Sequence, residues 1–386
     1  MLRKSLILLT ATLIILSLTK PALAQGDPIK LGCLYNLTGG MSSIDAPALN
    51  GARLKAKEIN QAGGLLGGRM LELIDIDTKT DPQAAAAGAQ TAVDQGVVAG
   101  LGYGDTTFVM AAAPLFQKNS LPFVTSGATH PELPQWIGDY FFMVPFGDDD
   151  QAYAIADYAY HTLGARHVAV WTDNSMDFTK ALSKFFKDRF THLGGQIVHE
   201  DLFMAGDQEF SALIAALPNP DPKPDAVFIS AIPNEAGLLV RQIREAGFKL
   251  PIISGDGFDT ELVASIPGPV FADDVYFSTH TYRGDQRPEV TAFIESYKKE
   301  YGRQPENAFA ALGYDAVGLV ADSLARAGST EGTRLRDTLA RTTNYQGVTG
   351  RIAYTRPSRV PVKGVSIIGV HHGQYQVENI WHPDTK

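Results

Sequence analysis

Two short stretches combine hydroxyls, glycines and free backbone N–H groups. One is Gly102-Tyr103-Gly104-Asp105-Thr106-Thr107, which runs into a helical pattern, and the other is Thr125-Ser126-Gly127-Ala128-Thr129. Amide dipoles at a helix start and hydroxyl donors suit a carboxylate. A third position has the opposite character: Asp256, after Leu250-Pro251-Ile252-Ile253-Ser254-Gly255, favours a cation. An anion site facing a cation site is what a zwitterionic amino acid requires. Each residue alone also fits a plainer role: Thr106 as a helix cap, Ser126 or Thr129 as a turn former, Asp256 as an Asx turn after Gly255. The recurrence of small and hydroxyl residues at two neighbouring strand ends is what points to binding.

Strands must bring these groups together. Ile29 to Tyr35, Leu71 to Ile76, the apolar run ending at Gly102, and Leu121 to Thr125 are predicted strands. A helix from Leu49 to Gln61, with Ala52, Ala56 and Ile59 on one face, stops at Gly63-Gly64. The order then recurs. His167 to Trp171, Ile197 to Leu202, Ala226 to Ala231 and Leu250 to Ser254 are predicted strands. The intervening helices run to the stop at Gly194-Gly195, over Phe210 to Leu217, and over Glu235 to Ala246.

Two similar α/β units, each a doubly wound parallel sheet, account for this better than one very wide sheet. Helices over 289–301, 308–327 and 334–341, with strands over 350–354, 365–371 and 374–381, complete the units. The chain therefore crosses between them more than once, which makes a multi-strand hinge. The expected division is 27–146 plus 279–348 for the N-terminal lobe and 147–278 plus 349–386 for the C-terminal lobe. Ligands bind beyond the carboxyl ends of parallel strands, so two such sheets facing each other define a cleft.

The opening segment bounds the compartment. Arg3 and Lys4 precede an apolar run from Leu6 to Leu18 and an Ala22-Leu23-Ala24 ending, the pattern of a secretory signal over 1–24 cleaved near Ala24-Gln25. No later stretch reads as long and apolar enough to cross a bilayer. The single cysteine, Cys33, lies in a strand pattern and reads as a buried, inert thiol. A disulfide-free exported chain suits a periplasm. The net charge of −9 argues against nucleic acid as a partner.

Neither a dinucleotide loop, a phosphate loop nor a nucleophile elbow is present, which argues against an enzyme. His371-His372 is set aside as a metal pair, because adjacent strand residues point to opposite faces and no carboxylate stands nearby at ligand spacing. A free periplasmic ligand sensor of the same fold stays open as an alternative to a transport component.

The chain resembles the branched-chain amino-acid-binding proteins of bacterial ABC transporters, the Leu/Ile/Val type of periplasmic binding protein. The resemblance rests on Asn50-Gly51-Ala52 with Glu58-Ile59-Asn60 and Gly63-Gly64, Asp77 through Asp81-Pro82, and Leu121-Pro122 through Thr129. It extends to Asp173 through Phe178, Arg241-Gln242 through Ala246-Gly247, and Gly313-Tyr314-Asp315-Ala316.

The resemblance implies the type I periplasmic binding fold, with carboxylate contacts at Thr106, Gly127 and Thr129, an ammonium partner at Asp256, an aromatic gate at Phe178 and a pocket aromatic at Phe309. Aromatics common in the family are replaced by Ile44 and Ile232, and Tyr103 is expected to compensate by lining the pocket beside Ser126. Also implied are a monomer, no cofactor, an inner-membrane ABC permease as partner, and closure of two lobes on a neutral amino acid. Aromatic carboxylates, amides and urea-like solutes are the alternatives.

Overall fold

A computed structural model describes residues 26–355 and 358–383. The expected signal over 1–24 and its cleavage point lie outside the described residues. The first lobe is a parallel five-stranded sheet of β1 (Ile29–Tyr35), β2 (Leu71–Asp77), β3 (Ala99–Gly102), β4 (Phe123–Thr125) and β5 (Phe141–Met143), in the order β2-β1-β3-β4-β5. Helices cover both faces, so β1, β3, β4 and β5 are buried almost throughout and are mostly apolar, with Lys30 the charged exception in β1.

The second lobe holds β6 (His167–Asp173), β7 (Gln196–Phe203), β8 (Ala226–Ser230), β9 (Ile252–Ser254) and β10 (Val275–Thr279). A hairpin of β11 (Tyr345–Gly347) and β12 (Gly350–Ile352) comes next in the chain, followed by β13 (Val365–His371) and β14 (Gln374–Trp381). The second sheet runs β14-β13-β10-β9-β8-β6-β7. It is parallel from β7 to β10, and β13 and β14 add antiparallel, so it is a mixed sheet rather than a purely parallel one.

The helix expected from Leu49 begins at Ser42. Pro47 lies inside it and has no N–H to offer the Ser43 carbonyl one turn back. Asn307 Nδ2 donates to that carbonyl instead, at 2.9 Å. The same helix crosses Ala308–Ala327 with backbone against backbone. A side chain at Gly51 would strike the Ala310 carbonyl, and one at Gly313 the Ala48 carbonyl. Ala308–Ala327 is long and apolar enough to span a bilayer, contrary to the sequence expectation, but it is a core helix of the first lobe.

The chain leaves the first sheet after β5 and enters the second lobe through an unforeseen helix, Asp148–Asp157, which packs on Asp177–His192. It returns after β10. The last crossing comes later than the expected boundary at 348/349. Ile352, Tyr354 and Val360 all belong to the first-lobe core, and the Tyr354 hydroxyl donates to the Met143 carbonyl of β5 at 2.9 Å.

Candidate functional site

The loops after β3 and β4 form one wall. Asp105 caps the helix Thr106–Lys118, its Oδ1 accepting from Thr107 N at 2.6 Å. The cap is therefore Asp105 and not Thr106, whose buried Oγ1 has no partner among the described residues. After β4, Thr125 Oγ1 accepts from Ala128 N at 3.0 Å and fixes the turn. Ser126 Oγ accepts from Tyr35 Oη at 3.1 Å. Gly127 lies so close to Gly104 that a Cβ there would be 2.9 Å from the Gly104 Cα and from the Phe309 ring.

Asp45, which carries no signal in the sequence, ties this wall together: its two oxygens accept from Asn36 N and Gly104 N, each at 2.8 Å. Burial pushes its carboxyl up to about 7. Tyr103 departs from expectation. With φ of 62° its side chain turns into the first-lobe core, where the ring lies 5.9 Å from Phe108 and 6.3 Å from Phe123. It packs the sheet rather than facing the cleft.

From the second lobe, Asp256 follows β9 in a tight turn and is 2% exposed. Its oxygens do not form an Asx turn. Oδ1 accepts from Gln151 Nε2 at 3.3 Å and Oδ2 from His280 Nε2 at 2.9 Å, while its backbone N–H donates to Gln151 Oε1 at 3.0 Å. Gln151 Nε2 also reaches Asp148 Oδ1 at 2.9 Å and Thr129 Oγ1 at 3.5 Å, and Ser278 Oγ donates to Gln151 Oε1 at 3.3 Å. Thr129 and Asp256 thus approach one amide from opposite lobes.

The His280 ring stacks on Phe146 with centroids 3.9 Å apart. Burial lowers its pKa against the pull of Asp256, and burial raises that of Asp148. Gln151, Asp148 and His280 were not singled out from sequence. Asp148-Asp149-Asp150-Gln151 looks like a solvated helix start, and a lone histidine after an apolar strand carries no signal.

Apolar side chains complete the enclosure. Ile44 lies over Gly104, Ile232 reaches Gly40 and joins the first-lobe core, and Phe309 sits between Gly127 and His280, its ring 6.2 Å from the imidazole. Phe178 packs near Gly257 in a second-lobe cluster. The lobes are shut: Asp177 N donates to Thr107 Oγ1 at 3.1 Å, and Thr260 Oγ1 to Ser43 Oγ at 3.2 Å.

One further expectation is corrected. His371 does have carboxylates beside it, brought by the fold: ligand atoms of Asp273, Asp274 and His371 lie within 4.8 Å of one another.

The family model described as periplasmic binding protein matches residues 28–374. The leucine-specific-binding protein of Salmonella typhimurium is 27% identical over 322 residues, covering 83% of this chain and 85% of that one. The leucine-binding protein LivK of Thermotoga maritima superposes with a TM-score of 0.86 at 33% identity, over 93% of this chain and 100% of that structure. The substrate-binding protein LivJ of Streptococcus pneumoniae, solved with isoleucine, gives a TM-score of 0.86 at 30% identity, over 92% and 100%.

Proposed function

We infer, for a chain that belongs to the periplasmic binding protein family, that it is the solute-binding component of an ABC uptake system and that its solute is a neutral aliphatic amino acid. One observation carries the choice of solute. A hydroxyl-bearing wall and a carboxylate, Thr129 and Asp256, converge on the Gln151 amide from opposite lobes. A solute carboxylate would take the Thr106 hydroxyl, Gly127 and Thr129. Its ammonium would take Asp256, and its side chain would lie among Ile44, Phe178, Ile232 and Phe309.

The relatives support this reading, being named for leucine or solved with isoleucine. Contacts to both lobes supply the preference for the closed form. The partner is an inner-membrane ABC permease, the compartment the periplasm, and the working unit a monomer that binds without covalent chemistry. Isothermal titration against the common amino acids and a panel of benzoates tests the reading, together with mass spectrometry of whatever co-purifies.

A second reading, an aromatic carboxylate without an amino group, is favoured by the engagement of both Asp256 oxygens by Gln151 and His280. That engagement leaves less unmet demand for an ammonium. Binding of benzoates alone would replace the first reading by the second.

A further inference from the structure

Behind the cleft lies a second cavity of about 750 Å³, walled by both lobes and by the crossing strand. That volume falls within the roughly 300–1,000 Å³ of small-molecule sites. The crossing segment separates the two spaces by simple alternation, since successive side chains of an extended strand point to opposite faces. Ser278 and His280 reach Gln151 and Asp256 on the cleft side, while Thr279 and Thr281 line the rear cavity. The start of the helix Ala308–Ala327 divides in the same way: Phe309 abuts Gly127, and Ala308 and Ala311 face the rear. The wall between the spaces is one residue thick.

The lining indicates what would enter. Phe277, Phe293, Ile294 and Ile368 offer an apolar bed. Of the three carboxylates along it, Asp259 accepts from Thr279 Oγ1 and Ala308 N, and Glu306 accepts from Tyr297 Oη and pairs with Arg303, which leaves the exposed Glu261 as the acceptor for a cation; the Arg283 Nη2 donates to the Pro305 and Glu306 carbonyls at 3.0 Å each. Thr281 Oγ1 is buried without a partner among the described residues. An apolar body with one ammonium group meets these demands.

We propose that this rear cavity is a second ligand site, for a small amphipathic amine, whose occupancy favours the closed lobes. Its walls lie on the far side of the crossing strand from the cleft. A rotation that opens the front therefore brings the rear walls together, and an occupant resists that rotation. Because a ligand shifts a conformational equilibrium by its differential affinity for the two states, and because coupling is reciprocal, an amine at the rear tightens solute binding at the front. The coupling rests on the solute reading above; the rear site does not.

The test uses the full exported chain freed of co-purified solute, with 2-phenylethylamine as the probe. Isothermal titration is expected to show one saturable equivalent, lost in Ser265→Trp, which places a ring into the cavity from an exposed lining position. No saturable binding, or equal binding by that variant, overturns the site. With the amine saturating, the leucine dissociation constant is expected to fall at least about 5-fold in the unmodified chain and not in Ser265→Trp. Unchanged or weakened leucine binding overturns the coupling. Small-angle scattering with the amine alone reads closure directly, as a smaller radius of gyration. If leucine fails to bind at all, the solute reading falls, while the amine titration and the scattering still decide the rear site and its coupling.

Discussion

Around Gln151, Asp256 has both oxygens engaged by an amide and an imidazole drawn from different parts of the chain. Along the seam between the lobes, Asp105, Asp173 and Glu235 each use one oxygen to hold local backbone, at Thr107, Ala205 and Gly206. Their second oxygens are buried without a donor among the described residues. Both Asp256 oxygens are thus held before any solute arrives, although Asp148 Oδ2 and His280 Nδ1 in the same cluster are buried without a partner among the described residues. Each seam acid keeps one buried oxygen without a donor among those residues, and for Asp105 and Glu235 the energy depends on protonation. Burial, with help from Asp177 and Asp173, pushes Asp105 up to about 7, and burial likewise raises Glu235. On the proposed pose, recognition falls to Asp256 and pH-dependent stability to other carboxylates.

The sharpest way to break this division is Asp256→Ala. Loss of a buried charge partner costs about 2–5 kcal/mol of binding, so leucine affinity by titration calorimetry should fall at least about 30-fold. An unchanged constant would remove Asp256 from recognition. Next, Gln151→Leu strips Asp148 and Asp256 of a shared donor. At about 1–3 kcal/mol for an unsatisfied buried group, the melting temperature by calorimetry should drop by about 4–10 °C. A drop within error would mean that the cluster is not fixed by that amide.

Thr129→Val removes one donor from the first wall and should weaken leucine binding about 10-fold, on the order of 1 kcal/mol, and lower the melting temperature less than Gln151→Leu does, since the buried Asp148 loses the Thr129 hydroxyl but keeps the Gln151 amide. The smallest effect belongs to the seam. Between the ordinary carboxyl range and about 7, the folded chain keeps the Asp105 proton that the unfolded chain has released, so stability falls as pH rises through that window. Asp105→Asn keeps a capping oxygen and loses the titration. The melting temperature should then change less between pH 5 and pH 7 than in the parent. An identical pH profile would show that Asp105 contributes nothing to it.

The architecture was readable where burial is complete. Residues of β1 and β8 are mostly apolar on both faces because helices cover both, and such runs announce themselves. The repeat of strand, helix and Gly-Gly stop exposed two units for the same reason. The helix start at Ser42 was not readable: Asp45-Ala46-Pro47 looks like a loop, and only the distant Asn307 makes the Pro47 defect tolerable.

The late return to the second lobe was missed because Tyr354 is held in the first lobe by a bond to β5, which lies 211 residues earlier in the chain. At the site, composition picks out the loops after β3 and β4, and the fold sets those loops against each other. Tyr103 was misplaced because a single backbone dihedral reverses its side chain. Gln151 and His280 were invisible because their partners come from separate crossings, a relation without any sequence period.

The floor of the first wall is made of main chain. Any side chain at Gly102 would run into the Leu34 carbonyl, and one at Gly127 would press on Gly104 and Phe309. Evolution consequently has few places to edit the diet of this protein. If the proposed pose holds, exchanges at Ile44, Ile232, Phe178 or Phe309 reshape the room left for a guest's tail while its head stays moored, so paralogues with new nutrients should diverge there first and keep their glycines.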